Sequence, residues 1–252
     1  MSAGVILFVL AAVAITAAIS GVFGMAGGSL LMGALMLAAP VAVAMVLHGA
    51  AQLASNGARA AIHFRHIRWP VVAVFGAGAV LAMALMSLVD FAPSKMLVFL
   101  AMGLLPILAW IPQRWSPFDA ARPSHAFVAG LSATALALAA GVSGPLTDLF
   151  LVRSAMPARQ VIATKALLQV FGHLAKVLFY GAALLEGAGD GAAPPWLLVA
   201  VVLAAFAGSA IGGRLLDHVS EDNFRRWRRW IFTAIGAAFL VQALQLYLTG
   251  GG

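Results

Sequence analysis

Two sets of polar residues interrupt an otherwise apolar sequence at matching intervals. His48, Gln52, Asn56 and Arg59 form the first set, and Lys165, Gln169, His173 and Lys176 form the second. Each set advances by four, four and three positions, which places its members on one face of an α-helix. Cations, amides and imidazoles arranged this way suit an anion. Lysine and arginine neutralise charge, amides orient oxygen atoms, and histidine can carry a proton near neutral pH. A glycine-broken stretch precedes each set. Gly21-Val22-Phe23-Gly24, followed by Gly27, Gly28 and Ser29, precedes the first, and Gly141-Val142-Ser143-Gly144 precedes the second. A helix that restarts after such a break points free backbone N–H groups and a partial positive charge at whatever lies before it. The restarts are expected near Gly28-Ser29 and near Pro145-Leu146, where glycine would let a ligand approach the backbone.

The elements that carry these residues belong in a membrane. Of the 252 residues, 63% are hydrophobic and 9% charged, whereas globular chains are about a quarter charged. Runs long enough to cross a bilayer, about 20 residues, are expected over 41–62, 70–89, 95–111, 159–185, 196–213 and 230–248. Two further regions, 4–39 and 124–152, are too long for one span and too short for two. Their central glycines predict broken, hairpin-like helices, which a membrane tolerates where they are buried in protein or line a cavity. The run from Gly4 lacks a basic leader and a cleavage signal, so it is expected in the mature chain.

The net charge of +7 does not imply a nucleic-acid partner, because the basic residues sit in short connections between apolar runs. Arg65 and Arg68, Arg114 and Arg122, Arg153 and Arg159, and Arg214 with Arg225, Arg226, Arg228 and Arg229 all lie there. The opposite connections hold Asp90 with Lys95, and Glu186 with Asp190. Excess arginine marks the cytoplasmic side. All the arginine-bearing loops share that side only if each glycine-broken region turns back on itself. Each half then has one hairpin and three crossings, and the halves have opposite orientation. The expected fold is an all-α polytopic membrane protein of two pseudo-symmetric, inverted repeats. Residues 1–112 form the first repeat, 113–123 a connecting loop, and 124–252 the second, within one transporter domain. Aligning Pro40 with Pro157 pairs Gln52 with Gln169, Asn56 with His173 and Arg59 with Lys176. Interrupted segments at corresponding places in two repeats point to a transporter's binding site.

Individual residues keep two readings. Lys165 can neutralise an anion, or pair with Asp148 and hold the hairpin against the next helix. Arg59 and Lys176, closer to span ends, can gate or couple transport, or reach the membrane interface as anchors. His48 and His173 can donate to substrate and carry protons, or pack. Gln52 and Gln169 can orient substrate or bond across helices. Ser143 and Ser29 lack the context of a catalytic nucleophile, and no histidine has a His-Glu-x-x-His setting, so catalysis is not expected. No organic cofactor and no resident metal are implied, and zero cysteines exclude thiolate sites. Three intramembrane cations, Lys165, Lys176 and Arg59, against one acid, Asp148, favour an anionic substrate. The alternatives are a cation or metal permease using the histidines, and an accessory membrane subunit that moves nothing alone.

The segment Ile19-Ser20-Gly21-Val22-Phe23-Gly24-Met25-Ala26-Gly27-Gly28 resembles the glycine-rich signature of the TauE/SafE group of sulfite and organosulfonate permeases. The second copy resembles Gly141-Val142-Ser143-Gly144-Pro145, followed by Pro157-Ala158-Arg159-Gln160-Val161-Ile162-Ala163-Thr164. Leu146-Thr147-Asp148 replaces glycines expected in the second half. Gly33-Ala34-Leu35 stands where the first half usually has a proline, so the branch is divergent. The resemblance implies a multi-pass inner-membrane carrier of a small anion, a sulfite or a sulfonate, working in the lipid bilayer. A chain this small is compatible with a homodimer, though no segment specifies one.

Overall fold

The computed structural model describes residues 1–23, 25–89, 91–112, 115, 117–151, 154, 156–186, 193–216 and 221–250. Among these the regular structure is helical. The first half contains α1 (Ala3–Phe23), α2 (Met25–Ala38), α3 (Val41–Ile62), α4 (Trp69–Ser87), α5 (Lys95–Leu104) and α6 (Pro106–Trp110). The second contains α7 (Pro123–Ala140), α8 (Gly144–Leu151), α9 (Ala158–Glu186), α10 (Trp196–Leu216) and α11 (Glu221–Leu248). Five apolar stretches are long enough to cross a membrane: Ala3–Ser20, Trp69–Ser87, Pro123–Ala140, Ala158–Gly181 and Arg229–Leu248. The run expected over 95–111 is divided, because Pro106 lacks the N–H that would continue α5.

Helix α3 is 22 residues long, yet it is absent from those five spans. Its polar residues lower its hydropathy, and its surroundings explain why that is tolerated. Every residue from Val43 to Gln52 is buried, so the helix is enclosed by other helices rather than by lipid.

Both glycine-broken regions fold back. A Cβ at Gly27 would strike the Thr16 carbonyl and Ser20, so α2 returns along α1. In the second half the Ala120 N–H donates to the Phe150 carbonyl at 2.8 Å. The end of α8 therefore comes back to the start of α7. Gly141 makes this second turn with φ of 77°, a left-handed conformation that glycine adopts without a Cβ penalty. The restarts lie earlier than the sequence implied. Helix α2 begins at Met25 and α8 at Gly144, so Gly28 and Ser29 sit within the first turns of α2.

Contacts between the halves set the layers. Helices α3 and α9 run antiparallel through the centre. Gly49 lies against His173 and Val177, while Arg68, just beyond α3, donates its N–H to Thr164 Oγ1 near the start of α9. On one side α1 crosses α10, where a Cβ at Gly208 or Gly212 would strike the carbonyls of Ala14 and Ala18. On the other, α4 crosses α7, where a Cβ at Gly78 or Gly130 would strike the carbonyls of Phe127 and Phe75. Glycine at such crossings lets backbones approach closely, the usual packing device between membrane helices. Arg68 meets the start of α9, which is the basic end of these two helices; Ala120 meets the end of α8, and Trp110 stacks edge-on against Trp230 beside Arg229.

Gly130→Leu is expected to lower stability by about 1–3 kcal/mol, because its side chain must displace backbone at a close crossing. Gly57→Ala, with nothing within 4 Å of the new methyl, should be neutral or gain up to about 1 kcal/mol from helix propensity. Melting curves of the purified variants check both, and equal effects would deny the crossing its role.

Candidate functional site

The polar face of α9 climbs along the second chain break. Its first turns run beside α8 in an antiparallel ladder. Lys165 Nζ pairs with Asp148 Oδ1 at 2.5 Å, with the two side chains 21% and 34% exposed. One turn on, the Gln169 amide lies 3.1 Å from where a Cβ of Gly144 would sit. Another turn brings Gly172 beside Ser143 Oγ, and His173 onto α3. The first half repeats part of this arrangement. The Gln52 amide lies 3.3 Å from where a Cβ of Gly28 would sit, in the first turn of α2. From Gln52 a side-chain chain continues: Asn56 Nδ2 donates to Gln52 Oε1 at 3.2 Å, and Arg59 Nη1 donates to Asn56 Oδ1 at 3.2 Å. In each half, then, a glutamine amide faces a glycine at the start of the short returning helix.

The two faces meet at Lys176. It is fully buried, with 0% exposure, and so is His48. Lys176 Nζ donates to the Gly141 carbonyl and to His48 Nδ1, both at 2.5 Å. His48 Nε2 lies 2.9 Å from the Gly28 carbonyl. A carbonyl only accepts, so Nε2 carries the proton and Nδ1 is left as the acceptor for the lysine. One line of hydrogen bonds, Gly28–His48–Lys176–Gly141, thus joins the returning helix of the first half to the break of the second. The His173 ring stands beside it, 5.6 Å from the His48 ring between centroids. Its Nδ1 is buried without a hydrogen-bond partner. Gly49, one position after His48, is what lets α3 approach α9 this closely.

The polar residues therefore divide by height. The antiparallel register of α3 and α9 sets Arg59 level with Lys165 near the basic end, and His48 level with Lys176 in the core. Between them Gln52, Asn56, Gln169 and His173 form a polar track, partly exposed at the Lys165–Asp148 end and closed at Lys176. Ser29 is buried within α2, and Ser143 beside Gly172. Gly27 is turned against α1, where a Cβ would strike the Thr16 carbonyl and Ser20. Gly24 lies outside the described residues. The position of Lys176 is the main departure from sequence reasoning, which left it as either a gate or an interface anchor. As an anchor it would reach water, whereas here its ammonium is enclosed. The glycine at position 49 was the signal, since a small residue beside His48 marks the close approach.

A family model for sulfite exporters of the TauE/SafE type matches residues 8–239. The chain belongs to the sulfite exporter TauE/SafE family. No curated protein and no solved structure matches it. Family membership makes this TauE/SafE chain a multi-pass membrane transporter, and the match spans both glycine breaks and both polar faces.

The Lys176–His48 contact is expected to show as energetic coupling. Losing either partner strands a buried polar group at a cost of about 1–3 kcal/mol. His48→Gln and Lys176→Met should therefore be non-additive by about 0.5–3 kcal/mol in a double-mutant cycle of melting free energies. His48→Gln combined with Arg59→Met should add to within about 0.5 kcal/mol, since those side chains do not touch.

Proposed function

We propose that this protein is a secondary transporter of small anions, sulfite or an organosulfonate, in the inner membrane of a bacterium. It works by alternating access around a central site between two inverted repeats. The observation that carries the reading is the polar track between α3 and α9. Cations stand at its two ends, Arg59 and Lys165 at one and Lys176 at the other, and Asp148 is the acid along it. Supporting the inverted repeat, α3 and α9 are antiparallel and both broken regions fold back. The pairing of α1 with α10 also has its counterpart in the pairing of α7 with α4, as a two-fold axis in the membrane plane would require.

In this reading Lys165 releases Asp148 to meet the anion as it enters from the basic, cytoplasmic end. The amides of Gln52 and Gln169 orient its oxygens. Backbone N–H groups at the starts of α2 and α8, around Gly28, Ser29, Ser143 and Gly144, complete the site. Asn56 and Arg59 guide the anion inward. His48, His173 and Lys176 close the far end. Asp148 serves as the internal counter-ion that occupies Lys165 while the site is empty. A cation substrate fits this poorly, because Lys176 already sits with its positive charge against His48 and beside His173.

Ligand-induced stabilisation tests the reading. A ligand at about 100 times its Kd raises folding stability by about 2.7 kcal/mol. Purified protein should be stabilised by sulfite or by a sulfonate such as taurine or sulfoacetate, and not by divalent metals. Lys165→Ala should lose that gain while still folding. Gln52→Ala and Gln169→Ala should weaken the same binding step. Stabilisation by a metal alone, or anion binding that survives Lys165→Ala unchanged, would overturn the assignment.

A further inference from the structure

We infer that the Gly28–His48–Lys176–Gly141 line is a clasp worked by protons, and that His173 is the group whose protonation opens it. This rests on the anion-transporter reading and adds its coupling: anion and proton travel in the same direction. The geometry is specific. One ammonium holds the break of the second half through the Gly141 carbonyl, and it reaches the returning helix of the first half through both nitrogens of His48. The clasp holds only while His48 Nδ1 can accept. His173 stands three positions before Lys176 on the same helix, ring to ring with His48, and its buried Nδ1 has no partner. A buried polar atom without a partner in an otherwise satisfied cluster calls for an explanation, and a proton site is one.

The step conserves charge simply. A hydronium ion entering the track gives its proton to the His173 lone pair: one O–H bond breaks, an N–H bond forms, neutral water is left and the ring becomes an imidazolium. Two positive charges then face each other in a site closed to solvent, and burying an uncompensated charge is strongly disfavoured. Lys176 leaves His48 and Gly141, and both ends of the clasp separate together. An anion arriving along the track supplies the missing negative charge, so proton and anion each favour the other's binding. They leave together, the proton returns to water on the opposite side, and the clasp re-forms.

The charged and titratable groups around His173 are few. His48 faces it from α3, and Lys176 lies beside it on α9. Helices α1, α2 and α4 contain no titratable side chain. On α7, His125 sits at the far end, accepting the Asp119 N–H. Lys165 and Asp148 are two turns away, paired with each other, and Arg59 is bonded to Asn56. The side chain of Arg214 on α10 is outside the described residues.

The test uses the full chain in proteoliposomes, with isotopically labelled 2-hydroxyethanesulfonate, whose charge is fixed across the pH range used. Two rates are read: equilibrium exchange without any gradient, and uptake driven by pH 6 outside against pH 8 inside, with a trapped pH dye. The wild-type chain should exchange the anion, take it up faster under the gradient, and acidify the lumen as it does so. His173→Gln, which cannot take the opening proton, should slow exchange, and the uptake that remains should show neither the gradient effect nor the acidification. Retention of the gradient effect in the folded variant would overturn the role of His173. If the variant does not fold, the wild-type chain decides alone, because exchange with no response to the gradient rules out the clasp as a coupling device. Absence of exchange with both this sulfonate and sulfite would remove the anion reading itself, a result distinct from exchange without proton movement.

Discussion

A charged amine in the middle of a membrane protein must find acceptors, and the way Lys176 finds them organises the molecule. Its two partners come from different halves of the chain, His48 on α3 and the carbonyl at the break after α7. For the amine to reach both, α3 and α9 must touch, and Gly49 permits that contact. The chain must also stop being helical after Ala140, so that the carbonyl of Gly141 is free to accept; the left-handed glycine provides that. His48 must in turn discharge its own N–H, and the Gly28 carbonyl receives it. One buried amine thus ties together the α3–α9 contact, the form of one chain break and the placement of the other.

Much of this could be read from residue order alone. The two polar faces were visible because their period matches a helix and because polar residues are costly in lipid. The breaks themselves followed from the length and central glycines of both regions, while the arginine distribution favoured a fold-back over a broken helix that crosses fully. The Lys165–Asp148 pair could be named in advance because few opposite charges were available in the spans. Less legible was which polar residue would be deepest. Nearness to a span end suggested that Lys176 could reach water, but α9 is 29 residues long and its later turns are covered by α3. Depth depends on what packs around a helix, and periodicity carries no information about that. The same reason hid the difference between the two polar faces. Arg59 aligns with Lys176, yet it bonds to Asn56 on its own helix and closes nothing.

The polar residues between α3 and α9 are partly exposed at one end and sealed at the other. Lys165 and Asp148 are accessible enough to exchange partners, since a partly exposed ion pair is held weakly. The cluster around Lys176 has no such freedom, because separating it leaves several buried groups unpaired at once. The two ends of the same polar face are therefore held with unequal strength.

The glycine crossings bear on how such a chain comes to be assembled. Helix α1 meets α10 backbone to backbone, nearly the whole sequence apart, and α4 waits in the same way for α7. During synthesis the first half precedes α10 and α7, the helices that pack backbone to backbone on α1 and α4. Contacts so distant along the chain are slow to form and leave intermediates exposed to wrong pairing. The two halves are therefore not independent units joined by a loop. Each supplies the helix that completes a glycine-lined packing face of the other.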